Sequence, residues 1–282
     1  MKPRRPRLRS GLSGELERFL AYKRALGRKY NNEERALTLL DRYCYEQGVR
    51  SVHDVGSQLI EDFLASRRRT RPRSHNHLLG VVRRLFDWLV VQGALTESPV
   101  KATPRRRTGQ RVPFLFRPDQ ARALLAAARA LEDGSRAAVR GPTYRTAFAL
   151  MYGLGLRVGE VSRLQWGDVD FDQAVLLIRQ TKFGKDRLVP FGPRMADLLL
   201  RFRAQRFAGG GVPPPTAWVF SFTRRGPVHP GTFSQTFLHL VRQLEFEVPH
   251  GTAHPRLHDL RHSFAVGTLL RWYRAGLDPA AR

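Results

Sequence analysis

The sequence predicts a mainly α-helical fold in two parts, a helical N-terminal domain followed by a mixed α+β domain with a small antiparallel sheet. Three observations predict it. Apolar residues before position 95 recur at helical spacing in four separate runs. A proline-rich, strongly basic segment without periodicity follows them. Beyond it, two short β-rich runs flank TKFGKD among further helical stretches. At 282 residues the chain is long enough for two hydrophobic cores.

Taken in order, Leu16, Phe19, Leu20 and Leu26 keep a helical period from Leu12 to Gly27. Asn31, with Glu34 three residues on, predicts a capping box opening a second helix through Leu37, Leu40, Tyr43 and Cys44 to Gly48. A short helix is expected over 57–66 and a longer one over 74–93, carrying Leu78, Val82, Leu85, Phe86 and Leu89. Domain limits follow: a basic tail over 1–10, a helical domain over 11–97, a linker over 98–115 and a second domain over 116–282. In the second domain Pro118 is placed to begin a helix, with Asp119 near its positive end. Another helix is expected from about Pro142 through Phe148 and Met151. AVLLIRQ (174–180) and RLVPF (187–191) predict a hairpin with Gly184 in its turn, and helices follow near 193–206, 230–244 and 256–275, with a short strand WVFSF before the last two.

Charge dominates the composition. Lys and Arg number 49 against 24 Asp and Glu, a formal charge of +25, so the expected partner is a polyanion. The cations cluster in the first ten residues, in RRRTRPR (67–73) and between Lys101 and Arg111. These bursts nominate Arg67, Arg68, Arg69, Lys101, Arg105, Arg106 and Arg107 as its contacts. The one cysteine, Cys44, allows no internal disulfide, which fits a reducing cytoplasm, and no uncharged run is long enough to span a bilayer.

Three strings carry chemistry: ALMYGLGLRVGEVSRLQWGDVD (149–170), TKFGKDRLVP (181–190) and LHDLRHSFA (257–265). Guanidinium forks suit the oxygens of a bound phosphate group, and these strings hold two candidate arginines. Arg157 sits in GLGLRVGE, where glycines permit close approach, and Glu160 one turn on can fix it by an ion pair. His258 and Arg261 stand three apart and share a helical face. Lys182 and Lys185 are two of only six lysines and both fall in the predicted turn.

The order of these strings resembles the tyrosine recombinase or phage integrase family, with its Gly-Leu-Arg box, β-hairpin lysine and His-x-x-Arg box. The two-part layout resembles the family's helical core-binding domain and mainly helical catalytic domain. The resemblance implies catalytic roles for Arg157, Lys182, His258 and Arg261, with Lys182 as general acid and His258 in acid/base work at the phosphate. Asp259 and His262 are expected to cap and pack the last helix, and Lys185 to bind phosphate. It further implies breakage and rejoining of DNA through a 3′-phosphotyrosyl link, with no metal or other cofactor and with further protomers assembled on the DNA.

The nucleophile is the missing part. Tyr273 is the one tyrosine after the last box, twelve residues beyond Arg261 in the same expected helix and too close to serve. The chain is therefore expected to be incomplete at its C-terminus and to bind DNA without cleaving it in cis. Three alternatives stand beside this: an active recombinase whose nucleophile comes from another protomer or from an unexpected tyrosine such as Tyr273, a catalytically dead DNA-binding regulator on the same scaffold, and a metal hydrolase using His254, His258 and His262 at four-residue spacing.

Overall fold

In the computed structural model the described residues are 8–106, 109, 112–135, 137–179, 185–209, 211–223 and 226–278. Arg107, Lys182 and Gly184 lie outside them. The chain divides into two compact units, Met1–Gln110 and Arg111–Arg282.

The first unit holds four helices: α1 (Ser13–Ala25), α2 (Asn31–Glu46), α3 (Ser57–Ser66) and α4 (Pro72–Val91). Their apolar stripes meet in one core of Leu16, Phe19, Leu37, Leu40, Phe63, Val82 and Phe86, all fully buried. The capping box expected at Asn31 does not form. Asn31 is already helical, Tyr30 holds the cap position in left-handed backbone, and Glu34 instead pairs with Arg24 at 2.6 Å. Arg9 and Ser10, at the end of the expected tail, are fixed by buried Asp41, which accepts from both backbone N–H groups at 2.9 and 3.0 Å.

The basic segment that follows is pinned to the same unit as far as Arg105. Asn76 on α4 exchanges two hydrogen bonds with the Arg105 backbone at 2.7 and 2.8 Å, and Arg83 donates to the Ala102 carbonyl. From Val112 the chain joins the second unit, where Phe114 and Phe116 are buried and Val112 pairs with Thr252.

The second unit contains α5 (Pro118–Arg129), α6 (Arg140–Gly153), α7 (Val158–Ser162), β1 (Val169–Asp170), β2 (Val175–Ile178), β3 (Arg187–Pro190), α8 (Pro193–Arg206), α9 (Pro230–Leu244) and α10 (Asp259–Arg274). Buried along most of its length, α6 packs against α5, α8 and α10 and forms the centre. The sheet is antiparallel in the order β1-β2-β3, with Ile178 opposite Arg187 and Leu176 opposite Val189. β1 escaped the sequence reading because two residues show no alternation. WVFSF forms no strand: Trp218 makes a single bridge to Gln165, and Val219 and Phe220 enter the core as an irregular segment. No helix among the described residues is long and apolar enough to cross a membrane.

Candidate functional site

Arg157 stands at the N-cap of the five-residue helix α7, with extended backbone that aims its side chain out of the fold. Beneath it lies Glu160, whose side chain is only 3% exposed. The carboxylate accepts from the Arg157 backbone N–H at 2.8 Å and from the Arg157 guanidinium at 2.9 Å, closing a capping box in which the ion pair is part of the cap. Burial alone would push this carboxyl up. Hydrogen bonds from Arg187, the Arg157 backbone and the Arg157 guanidinium outweigh burial and hold it at about 2.

Arg187 is the residue that sequence reasoning missed. It lies on β3 and donates through both terminal nitrogens to the two Glu160 oxygens, each at 2.9 Å. Its place was nonetheless legible in part. Arg187 and Val189 share the inward face of β3, opposite buried Ile178 and Leu176, and an inward cation on a half-buried strand calls for an acid.

The last helix supplies the rest. Arg261, half-buried in the first turn of α10, donates to the Gly155 carbonyl oxygen just ahead of Arg157. Gly155 has φ of 65°, and a Cβ there would stand 2.4 Å from the Phe264 ring, so only glycine lets α10 close on this loop. Arg157, Glu160 and Arg187 all act on the Arg261 charge, and Arg157 acts on His258. Three guanidiniums and one carboxylate therefore share a patch whose exposed members are Arg157 and His258. The patch is net positive.

His258 is exposed at the N-cap of α10, its ring edge-on to His262 with centroids 4.8 Å apart. Burial of part of the ring, then His262 and Arg261, lower its pKa below the ordinary histidine value, which favours the neutral imidazole. Asp259 is buried and accepts from the Arg256 backbone N–H at 2.8 Å, which ties down the turn before α10. His254 precedes α10 and lines an apolar cavity with Leu238, Phe246 and Val248, so the three histidines do not share a helical face. Among the described residues no cluster of three or more His, Cys, Asp or Glu could hold a metal.

On the sheet side, Arg179 at the end of β2 pairs with buried Asp168 at 2.5 Å, and exposed Lys185 stands two residues before Arg187. Lys182 lies between them, outside the described residues.

The basic residues of the first unit divide by environment. Arg68 and Arg106 are exposed. Lys101 is exposed and pairs with Glu97 at 3.1 Å. Arg67 folds over the Phe63 ring, Arg69 donates to Ser74 at 2.9 Å, and the Arg105 guanidinium binds the Arg69 carbonyl. No tyrosine of the second unit stands at the cluster. Tyr144 is buried in the second core, Tyr152 is raised by burial and faces Arg122 and Asp119 on α5, and exposed Tyr273 sits at the opposite end of α10 from Arg261. Tyr22, Tyr30, Tyr43 and Tyr45 belong to the first unit.

Comparison with known proteins gives consistent results. Residues 115–280 match the model of the phage integrase family. The chain is 32% identical over 268 residues to "Putative integrase/recombinase y4rB" of Sinorhizobium fredii, covering 94% of this chain and 83% of that protein. It is 30% identical over 237 residues to tyrosine recombinase XerD of Ralstonia nicotianae, covering 83% and 73%. Among solved structures, a lambda integrase dimer bound to a COC′ core site superposes with a TM-score of 0.64 at 19% identity, over 90% of this chain and 69% of that one, a likeness of fold.

Proposed function

The chain belongs to the phage integrase family of tyrosine recombinases, and on that premise we propose that it binds duplex DNA and grips one phosphodiester between Arg157 and Arg261 for site-specific strand exchange. One observation carries this reading: Glu160 holds Arg157 upright from a buried position while the Gly155 carbonyl holds Arg261 beside it. Guanidiniums fixed in advance cost no reorganisation when charge develops on the phosphate oxygens.

In this mechanism a tyrosine hydroxyl attacks phosphorus in line with the 5′ bridging oxygen. The P–O5′ bond breaks, a 3′-phosphotyrosyl bond forms, and the departing 5′ oxygen takes a proton. Lys182 is the proton donor we assign, since an amine beside several cations can lower its pKa where arginine cannot. Neutral His258 hydrogen-bonds a non-bridging oxygen and exchanges the nucleophile's proton. The reverse attack by a partner strand's 5′ hydroxyl needs no metal or other cofactor, because the covalent link conserves the bond energy. Arg68, Arg106, Lys101 and Lys185 add phosphate contacts that set affinity.

Cleavage in cis by residues 1–282 is not part of the proposal, since no tyrosine of the second unit is placed at the cluster. That distribution also favours one second reading, a DNA-binding regulator that uses the grip without breaking the strand. Selection of duplexes from a randomised library, followed by phosphate-ethylation interference, tests the shared premise. One phosphate per half-site whose ethylation blocks binding by the wild type, but not by Arg157→Ala, is the expected result. Uniform interference along the backbone would overturn the grip, and labelled-strand cleavage separates recombinase from regulator.

A further inference from the structure

Resting on that reading, we propose that Arg187 is a positioning residue of the phosphate grip: through a two-point fork on Glu160 it fixes the stance of Arg157 and couples it to the hairpin strand β3.

Glu160 has two oxygens and accepts four hydrogen bonds on them. Oε1 accepts from Arg157 Nη1 and Arg187 Nη1, and Oε2 accepts from the Arg157 backbone N–H and Arg187 Nη2, every one at 2.8–2.9 Å. With Arg157 as its sole cation, the carboxylate would be held by one backbone N–H and one guanidinium nitrogen of the same residue, so Glu160 and the Arg157 side chain could still turn together. The Arg187 fork removes that rotation, because a planar guanidinium on a planar carboxylate fixes the plane of both. Each Glu160 oxygen then has a set direction, and the Arg157 guanidinium, bound at one terminal nitrogen, presents its remaining N–H groups outward. Arg187 is thus spent on the carboxylate rather than on solvent or DNA, and the side chain that gains is the exposed one, at 44% against 33%.

The placement adds a second consequence. In sequence β3 follows shortly after Lys182 and Lys185, and Arg187 is its first residue. The latch between β3 and α7 therefore joins the hairpin to the Gly-Leu-Arg box. A DNA contact that pulls the hairpin acts on Glu160, and through it on Arg157.

The experiment compares affinity for a library-selected duplex with affinity for the same duplex carrying one neutral methylphosphonate at the gripped phosphate. Wild type should lose about tenfold on that substitution, as befits a hydrogen bond to a charged group, from pH 4.5 to 7 alike. In Arg187→Gln the loss should shrink to about threefold at pH 7. It should shrink further as pH falls into the acid range, toward the part that Arg261 alone carries, because a buried carboxyl held only by Arg157 protonates more readily than one that also has the fork, and its protonation releases Arg157. Arg187→Lys, which keeps the charge and loses the fork, should fall between. A purely structural role would weaken both duplexes equally and add no pH dependence, and that outcome, or a methylphosphonate loss unchanged in both variants, would overturn the proposal. If no phosphate in the wild-type complex shows an Arg157-dependent loss, the grip itself fails, which is a different result.

Discussion

Arg261 donates to the carbonyl oxygen of Gly155, 106 residues earlier in the chain, so the two boxes that carry the site arginines are joined by a direct hydrogen bond. The same glycine accepts the Phe264 ring where a side chain would stand. One backbone position thus sets both the distance of α10 from the Arg157 loop and the direction of Arg261.

Gly155→Ala should therefore damage the fold and the site together. The new methyl would meet the Phe264 ring at 2.4 Å, in a backbone conformation that L residues rarely adopt. Overpacking with left-handed strain costs about 2 kcal/mol or more. Thermal unfolding should show that loss, and Gly155→Ala combined with Phe264→Ala should recover part of it. A variant as stable as wild type would mean that α10 does not close on this loop in solution.

Glu160 makes a pH prediction with a defined sign. Its folded pKa, about 2, lies below the ordinary value of 4.5, so ionised Glu160 stabilises the fold at pH above the unfolded value. That contribution, on the order of 3 kcal/mol, fades as pH falls from about 4.5 through about 2. Glu160→Gln should lower stability at pH 7 and flatten this part of the stability profile. Equal acid slopes in the two proteins would show that Glu160 is not held by its arginines.

The helices were legible because each carries its own apolar stripe: Phe63 and Phe86 mark α3 and α4 without reference to anything distant. The grip was legible as two separate boxes, and Glu160 as a partner of Arg157 three residues away. What joins the boxes was not. Arg261 meets Gly155, and Arg187 meets Glu160 across 27 positions, and no local period encodes such pairings. The box expected at Asn31 failed for a similar reason, since Arg24 on the preceding helix competes for the Glu34 carboxylate. Val219 and Phe220 looked like part of a strand because core burial and strand propensity favour the same residues.

Arg157→Ala and Arg261→Ala should separate binding from chemistry. Many other cations carry duplex affinity, so each change should weaken it by no more than a few-fold. Loss of a donor aimed at developing charge costs about 10²-fold or more in strand cleavage by the assembled complex. Parallel binding and cleavage measurements decide, and a variant that cleaves at the wild-type rate removes that arginine from the grip.

Basic residues of the first unit should behave in two ways. Arg68 and Arg106 are exposed, and changing each to Ala should reduce the slope of log affinity against log salt by about 0.9. Arg67 lies over the Phe63 ring with its Nε buried and unpaired, so Arg67→Ala should act mainly on stability. A salt series with thermal melts on the same three variants distinguishes the classes. An unchanged slope in Arg68→Ala/Arg106→Ala would remove them from the DNA contact.

Residues 1–282 by themselves should form no covalent adduct with a nicked suicide duplex. An attacking oxygen must come within about 3–3.5 Å of phosphorus, in line with the leaving oxygen. Arg261 and Tyr273 belong to one unbroken helix, Asp259–Arg274, and twelve residues at 1.5 Å of rise put them ~18 Å apart along its axis. Helical continuity removes the turn that could have brought Tyr273 back to the cluster. Tyr152, the tyrosine nearest to Arg157 in sequence, faces Arg122 and Asp119 on α5, and burial raises its pKa, which disfavours the phenolate. Denaturing electrophoresis of the protein with labelled DNA reads the result directly. A protease-sensitive shifted band that disappears in Tyr273→Phe would make Tyr273 the nucleophile and require α10 to unwind on DNA, whereas a band lost in Tyr152→Phe would require α6 to turn its last residues toward Arg157.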